Sequence, residues 1–140
     1  MFRYLVRVRY GDTDQMGFAY YGNYLRWFEI GRAEMLRALG MSYREVEESG
    51  VRLPVLEVHC RYLEPARYDD EVAIETGVAA LQRASVQFGY RIVRVADGAL
   101  LATGCTRHCF MDAADQPVRP PARLAELLGR APKADPPPRA

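Results

Sequence analysis

No stretch of this 140-residue chain approaches the ~20 consecutive apolar residues that a bilayer-crossing helix needs, so no membrane insertion is expected. The opening MFRYLVRVRYGD has no apolar h-region and no small-residue cleavage site. It does not read as a secretory signal, and a reducing, cytoplasmic location is the expectation. Cysteine is scarce and odd in number: Cys60, Cys105 and Cys109, with no C-x-x-C pair, which argues against a disulfide framework. A dominant charge sign is missing as well. The formal net charge is +1, which gives no basis for a nucleic-acid partner. There is no G-x-S-x-G elbow, no G-x-G-x-x-G, no Walker loop and no internal repeat. The only two histidines, His59 and His108, lie in strand-like runs and give little support to a Ser-His or Cys-His pair.

Two metal arrangements fail on ligand chemistry. The loop that starts at Asp12 has Asp14 and Gly17 at EF-hand positions three and six, but Met16 and Asn23 fall at positions five and twelve. A thioether and an amide cannot replace the oxygen ligands that calcium requires. In CTRHC (105–109), an extended backbone would put Cys105 and Cys109 on one face about 13 Å apart, at ~3.3 Å per residue. One zinc with bonds to sulfur of ~2.3 Å cannot hold both, and His108 would point to the other face. Buried, inert thiols are the expectation. No cofactor is expected.

Hydrophobic residues make up 49% of the chain, enough for the core of one domain. Phe2 to Tyr10 alternate as a half-exposed strand. From about Tyr21 to Leu39 the period is helical, with Tyr21, Tyr24, Leu25, Phe28, Met35, Leu36 and Leu39 on one stripe, widened by Trp27 and Ile30. Gly31 interrupts that stripe and implies a close neighbour, and Gly40 marks the helix end. Ser42 to Glu45 is a capping box for a short helix from Tyr43 to Ser49. Strand patterns return near Leu53–Leu63, Glu71–Leu81, Ser85–Val95 and Leu100–Asp112, with a hairpin turn at Asp97-Gly98. Pro120 to Leu128 reads as a closing helix. Residues 129–140, rich in proline and charge, read as a loose tail. Short turns between strands imply antiparallel pairing, so the fold expected is α+β. One helix on one sheet leaves edges and a sheet face to cover, which predicts a homo-oligomer.

Two long blocks carry a family resemblance. YGDTDQMGFAYYGNYLRWFEIGRAEMLRALG (10–40) holds a D-[TC]-D turn, a glycine three residues later, Asn23-Tyr24, Glu29 and Arg32. LPVLEVHCRYLEPARYDDEVAIET (53–76) is the second. Together they resemble the hotdog-fold acyl-CoA thioesterases of the 4-hydroxybenzoyl-CoA thioesterase type, including the Tol-Pal-associated short-chain enzymes. The resemblance spans roughly residues 2–128, which gives one hotdog domain over 1–128. It implies a long central helix wrapped by a five-stranded antiparallel sheet, dimers joined edge to edge that commonly form tetramers, and an active site at the dimer interface.

The same resemblance implies the site. Asp14 would be the catalytic carboxylate, either attacking the thioester to give a mixed anhydride or acting as general base for water; the residues leave both open. The N–H of Tyr21, at the first turn of the helix, would hold the oxyanion. The Tol-Pal-associated enzymes commonly carry histidine at this position, so no step can depend on an imidazole here. Without the resemblance, an aspartate before a helix is as readily a cap. Asp12 is expected to hold the turn and Gly17 to supply a backbone geometry that other residues resist, next to the substrate. Asn23, Glu29 and Arg32 would position the site or the dimer, or, for the charged pair, simply face solvent. Phe18 and Tyr24, with Tyr20, Tyr21 and Trp27, would line an acyl pocket or pack the core. Arg83 and Ser85, in the turn after the third strand, would meet the phosphate and pantetheine of acyl-CoA. The alternative function is a non-catalytic hotdog protein that binds acyl-CoA or acyl carrier protein. A hotdog dehydratase would need a histidine near the helix start, and none is there.

Overall fold

The structure, a computed structural model, describes residues 1–135. Five strands form one sheet: β1 (Phe2–Arg7), β2 (Val55–Tyr62), β3 (Glu71–Leu81), β4 (Ser85–Arg94) and β5 (Leu100–Cys109). Their order is β1-β3-β4-β5-β2, and every neighbouring pair is antiparallel. Two tight hairpins join β3 to β4 and β4 to β5, as the turn residues at 82–84 and 97–98 require. β1 and β2 are added at the two edges. β3, β4 and β5 bury their inner-face residues, among them Ile74, Phe88, Ile92 and Leu101. The β2 edge stays open, with Val55, Leu56 and Val58 between 46% and 49% exposed.

The long helix α1 (Asn23–Leu39) lies across the inner face of the sheet. It buries Tyr24, Trp27, Phe28, Gly31, Met35 and Leu36, and Phe28 stacks on Tyr90 with ring centroids 4.3 Å apart and planes 9° from parallel. A Cβ on Gly31 would meet Thr76 Oγ1 and come within 2.6 Å of Ile74 Cγ2. This is the close neighbour that the mid-helix glycine implied. Gly40 ends the helix at φ +116°. The capping box then starts α2 (Tyr43–Glu48): the Glu45 N–H donates to Ser42 Oγ and the Ser42 N–H to Glu45 Oε1. The last helix, α3 (Ala122–Gly129), follows Pro121 and packs Leu124, Leu127 and Leu128 inward. No helix among the described residues is long and apolar enough to cross a membrane. The arrangement is α+β: a long helix on a five-stranded antiparallel sheet.

Four expectations need correction. Helix α1 starts at Asn23, not Tyr21, because residues 20–22 turn into it, with the Asn23 N–H donating to the Tyr20 carbonyl. Tyr21 and Leu25, assigned to the apolar stripe, are 61% and 40% exposed. The thiols are less hidden than expected, since Cys60 and Cys105 are only partly buried and Cys109 alone is buried. The tail is not loose from residue 129 on. Gly129 closes α3, Ala131 is buried, and residues 132–134 run parallel to β3 beyond the end of β1. There the Val78 N–H donates to the Pro132 carbonyl at 2.8 Å and the Ala134 N–H to the Val78 carbonyl at 3.1 Å. The free β3 edge accepts backbone hydrogen bonds whatever side chains the partner carries. Residues 136–140 lie outside the described residues.

His108 is fully buried on β5 and closes a chain of hydrogen bonds with one direction. Its Nδ1 lies 3.0 Å from the Leu53 carbonyl, which can only accept, so Nδ1 carries the proton. Nε2 then accepts from Thr106 Oγ1 at 2.8 Å. Thr106 in turn accepts from Tyr90 Oη at 2.6 Å, and Tyr90 accepts from Arg32 Nη1 at 3.4 Å. A second proton on His108 would meet the threonine hydroxyl donor to donor. Burial, with some repulsion from Arg32, lowers its pKa from 6.5 to about 4. The unfolded chain therefore binds this proton at a pH where the native chain does not. Stability should fall by roughly 3 kcal/mol as pH drops from 6.5 to about 4 and be unaffected by His108 above that window. Urea unfolding between pH 7 and pH 4 should show wild type losing more stability than His108→Gln by about that amount.

Candidate active site

The loop between β1 and α1 is built on Asp12. Its Oδ2 accepts from the Arg9 N–H at 2.9 Å and its Oδ1 from Arg26 at 2.7 Å. Its carbonyl accepts from the Tyr20 N–H at 2.8 Å and from Asn23 Nδ2 at 2.7 Å. One residue thus ties the end of β1 to both the turn before α1 and the first residue of α1. The expected turn-holding role of Asp12 follows from these contacts, and Asn23 is its partner.

Beyond Asp12 the chain makes a small hairpin. Thr13 pairs with Ala19, the Asp14 N–H donates to the Phe18 carbonyl and the Gly17 N–H to the Asp14 carbonyl. Gly17 sits at φ +85°, which a side chain would disfavour. Asp14 Oδ1 accepts from the Met16 N–H at 2.9 Å. Its other oxygen has no hydrogen bond among the described residues. The hairpin is anchored to the segment after β2, since the Ala19 N–H donates to the Ala66 carbonyl and the Ala66 N–H to Tyr24 Oη. Burial pushes the Tyr24 phenol above its ordinary pKa, so it remains a neutral member of this anchor.

A cavity of about 440 Å³ opens between the hairpin, the start of α1 and the end of β2. Asp14, Met16, Phe18, Ala19, Tyr21 and Tyr24 line one side, and Tyr62, Leu63, Glu64 and Pro65 the other. At its helix end the Tyr21 N–H has no acceptor among the described residues. It lies two residues ahead of Asn23, the first residue of α1, at the positive end of the helix dipole. Asp14 and Tyr21 therefore line one opening with mostly apolar walls.

Of the residues singled out from the sequence, Asp14, Phe18, Tyr21 and Tyr24 come together in this cavity. Gly17 shapes the hairpin tip but does not line the cavity. Arg83 and Ser85 are not brought to it within one chain. They sit at the β3–β4 turn, and the hairpin lies near the opposite end of β3, about 33 Å away at ~3.3 Å per residue. There Ser85 Oγ donates to Gln82 Oε1 at 3.1 Å. Sequence reasoning missed Tyr62, Leu63 and Pro65. They lie inside the second resemblance block, but nothing in strand alternation says that the end of β2 faces the start of α1. Among the described residues no cluster of histidine, cysteine or carboxylate side chains could hold a metal ion.

The chain belongs to the thioesterase-like superfamily, whose family model matches residues 8–128, and it is an enzyme of the hotdog architecture. It is 37% identical over 93 residues to the acyl-CoA thioester hydrolase YbgC of Escherichia coli O6:H1, covering 66% of this chain and 69% of that protein. It is 34% identical over 107 residues to YneP of Bacillus subtilis, covering 76% and 77%. The crystal structure of the DHNA-CoA thioesterase of Staphylococcus aureus superposes with a TM-score of 0.80 at 31% identity, over 84% of this chain and 78% of that one.

The two aspartates of the loop should separate in unfolding experiments. Asp12→Ala removes a backbone cap and the tie to Arg26 and should lower stability by about 1–2 kcal/mol. Asp14→Ala removes one exposed turn bond and should lower it by less than about half as much. Urea denaturation at pH 7 measures both.

Proposed function

We propose that the chain hydrolyses acyl-CoA thioesters to free acid and CoA, with Asp14 as the reacting carboxylate and the Tyr21 N–H polarising the thioester carbonyl. The observation that carries this reading is the shared opening: Asp14, with one carboxylate oxygen unpartnered, and Tyr21, with its N–H unpartnered among the described residues, both line one largely apolar cavity. As nucleophile, Asp14 attacks the thioester carbon, the C–S bond breaks, CoA leaves as thiolate, and water cleaves the resulting anhydride. As general base, Asp14 takes a proton from water as its oxygen bonds to that carbon, and the thiolate leaves in the same way. Both routes pass through an oxyanion that the Tyr21 N–H stabilises, and an apolar wall strengthens that bond.

The open edge of β2 supports a dimer. An exposed apolar edge strand is a template for pairing, and a second copy of β2 is its matching partner. Antiparallel β2–β2 pairing sets the Tyr62 end of one copy against the Val55 end of the other. In each copy the Val55 end lies toward the β3–β4 turn, because Val55 pairs with His108 and Ser85 with Cys109. Arg83 and Ser85 of the second copy would then flank this copy's cavity, about three strand spacings or ~14 Å away in the sheet. This suits the phosphate end of CoA.

Thiol release from short-chain, long-chain and aromatic acyl-CoAs tests the chemistry. Asp14→Ala should lose at least about 100-fold in kcat; equal rates in both proteins would remove Asp14 from the reaction. Light scattering should give a mass that is a multiple of 15.9 kDa, and Val58→Lys, which puts a charge on the β2 edge, should shift it toward the monomer.

A further inference from the structure

The peptide joining Tyr21 to Gly22 is gripped from the sheet. Tyr62, the last residue of β2, donates its phenol proton to the Tyr21 carbonyl oxygen at 2.9 Å. The helix itself holds that oxygen less closely, through the Tyr24 N–H at 3.3 Å. The Tyr62 ring stands edge-on to Tyr21 (centroids 6.3 Å, 87°) and to Tyr24 (5.0 Å, 86°). Burial, and then the neighbouring Cys60 thiol, push the Tyr62 phenol well above its ordinary pKa; it remains a donor throughout the neutral range. On the other side of this carbonyl, the N–H groups of Tyr21 and Gly22 are both without acceptors among the described residues. The Gly22 N–H belongs to the same peptide unit as the gripped carbonyl, so a hydrogen bond to that oxygen also strengthens the N–H as a donor.

We propose that Tyr62 is a positioning residue: its phenol fixes the Tyr21–Gly22 peptide from outside the helix, so that the free N–H groups at the start of α1 stay aimed at the thioester oxygen. This rests on the thioester hydrolysis proposed above. The Tyr21–Gly22 peptide lies ahead of Asn23, outside the helix's own i→i−4 ladder. The sheet supplies the restraint that the helix cannot. The bond matters more as charge builds on the substrate oxygen, so its loss should lower kcat rather than weaken ground-state binding.

The test is Tyr62→Phe, which keeps the ring and its edge contacts and removes only the hydroxyl. Its kcat on the best acyl-CoA should fall roughly tenfold, with KM within about twofold, the size of one hydrogen bond acting through orientation. Far-UV circular dichroism and the unfolding midpoint should match wild type. A second readout separates positioning from a loss of active protein. In Asp14→Asn protein holding an acyl-CoA with a 13C-labelled thioester carbonyl, the infrared stretch should lie below its frequency in water. Adding Tyr62→Phe should move it back toward that frequency. An unchanged kcat overturns the proposal, and so does an unchanged carbonyl frequency; in either case Tyr62 is only a wall of the cavity. If wild type hydrolyses no acyl-CoA, the parent reading falls, and the carbonyl frequency of the bound thioester alone decides the role of Tyr62.

Discussion

The height of α1 above the sheet controls everything around it, and Gly31 sets that height. Thr76 and Ile74 of β3 occupy the space where a side chain at position 31 would stand. The helix can therefore lie low enough for Phe28 to stack on Tyr90 and for Met35 and Leu36 to be fully buried. A well-packed core resists even one added methyl group, because neighbours must leave their rotamers to admit it. A helix lifted at Gly31 would lift its own first turn, and with it the backbone donors at Tyr21 and Gly22.

That first turn is held at three points, each on a different part of the chain. Asp12 takes the Tyr20 N–H and the Asn23 side chain, Ala66 takes up Tyr24, and Tyr62 reaches the Tyr21 carbonyl. Polar contacts at two of these points go to backbone atoms. The local geometry is therefore largely independent of the side chain at position 21, which is why a tyrosine there is compatible with a backbone role. At the other end of the helix, Arg32 begins the chain of hydrogen bonds through Tyr90 and Thr106 to His108. The same helix thus joins an apolar reaction cavity to a buried polar spine.

The fold was legible because its signals are local. Alternation marked the strands, and the bounds of β3 match the expected Glu71–Leu81. The Ser42–Glu45 capping box and Gly40 fixed the α1–α2 junction. Asp14 and Tyr21 were reached through a resemblance of motifs, since a carboxylate before a helix is by itself an ordinary cap. What escaped were contacts made across long sequence separations. Tyr62 reads as one more aromatic in a strand, and only its distance to the Tyr21 carbonyl, forty-one residues earlier, gives it a role. The strand-like residues 132–134 escaped for a related reason. Proline and charge describe a segment that cannot make its own core, yet the bare edge of β3 offers hydrogen bonds to any backbone. Tyr21 misled the helical stripe because its spacing fits, although the helix proper begins two residues later.

The strand order also dictates a schedule for a chain emerging from a ribosome. β1 finds its partner only in β3, and β2 only in β5, so neither edge strand can pair when it is made. When α1 has left the exit tunnel, most of the sheet surface it covers, on β3 and β4, has not yet been synthesised. The first sheet structure available is the β1–β3 pair, followed by the β3–β4 hairpin, and β2, with its row of apolar residues, waits until residue 109 is free. Non-local pairing of this kind makes closure slow and late. The nascent chain therefore carries this apolar strand unpaired for about a third of its synthesis.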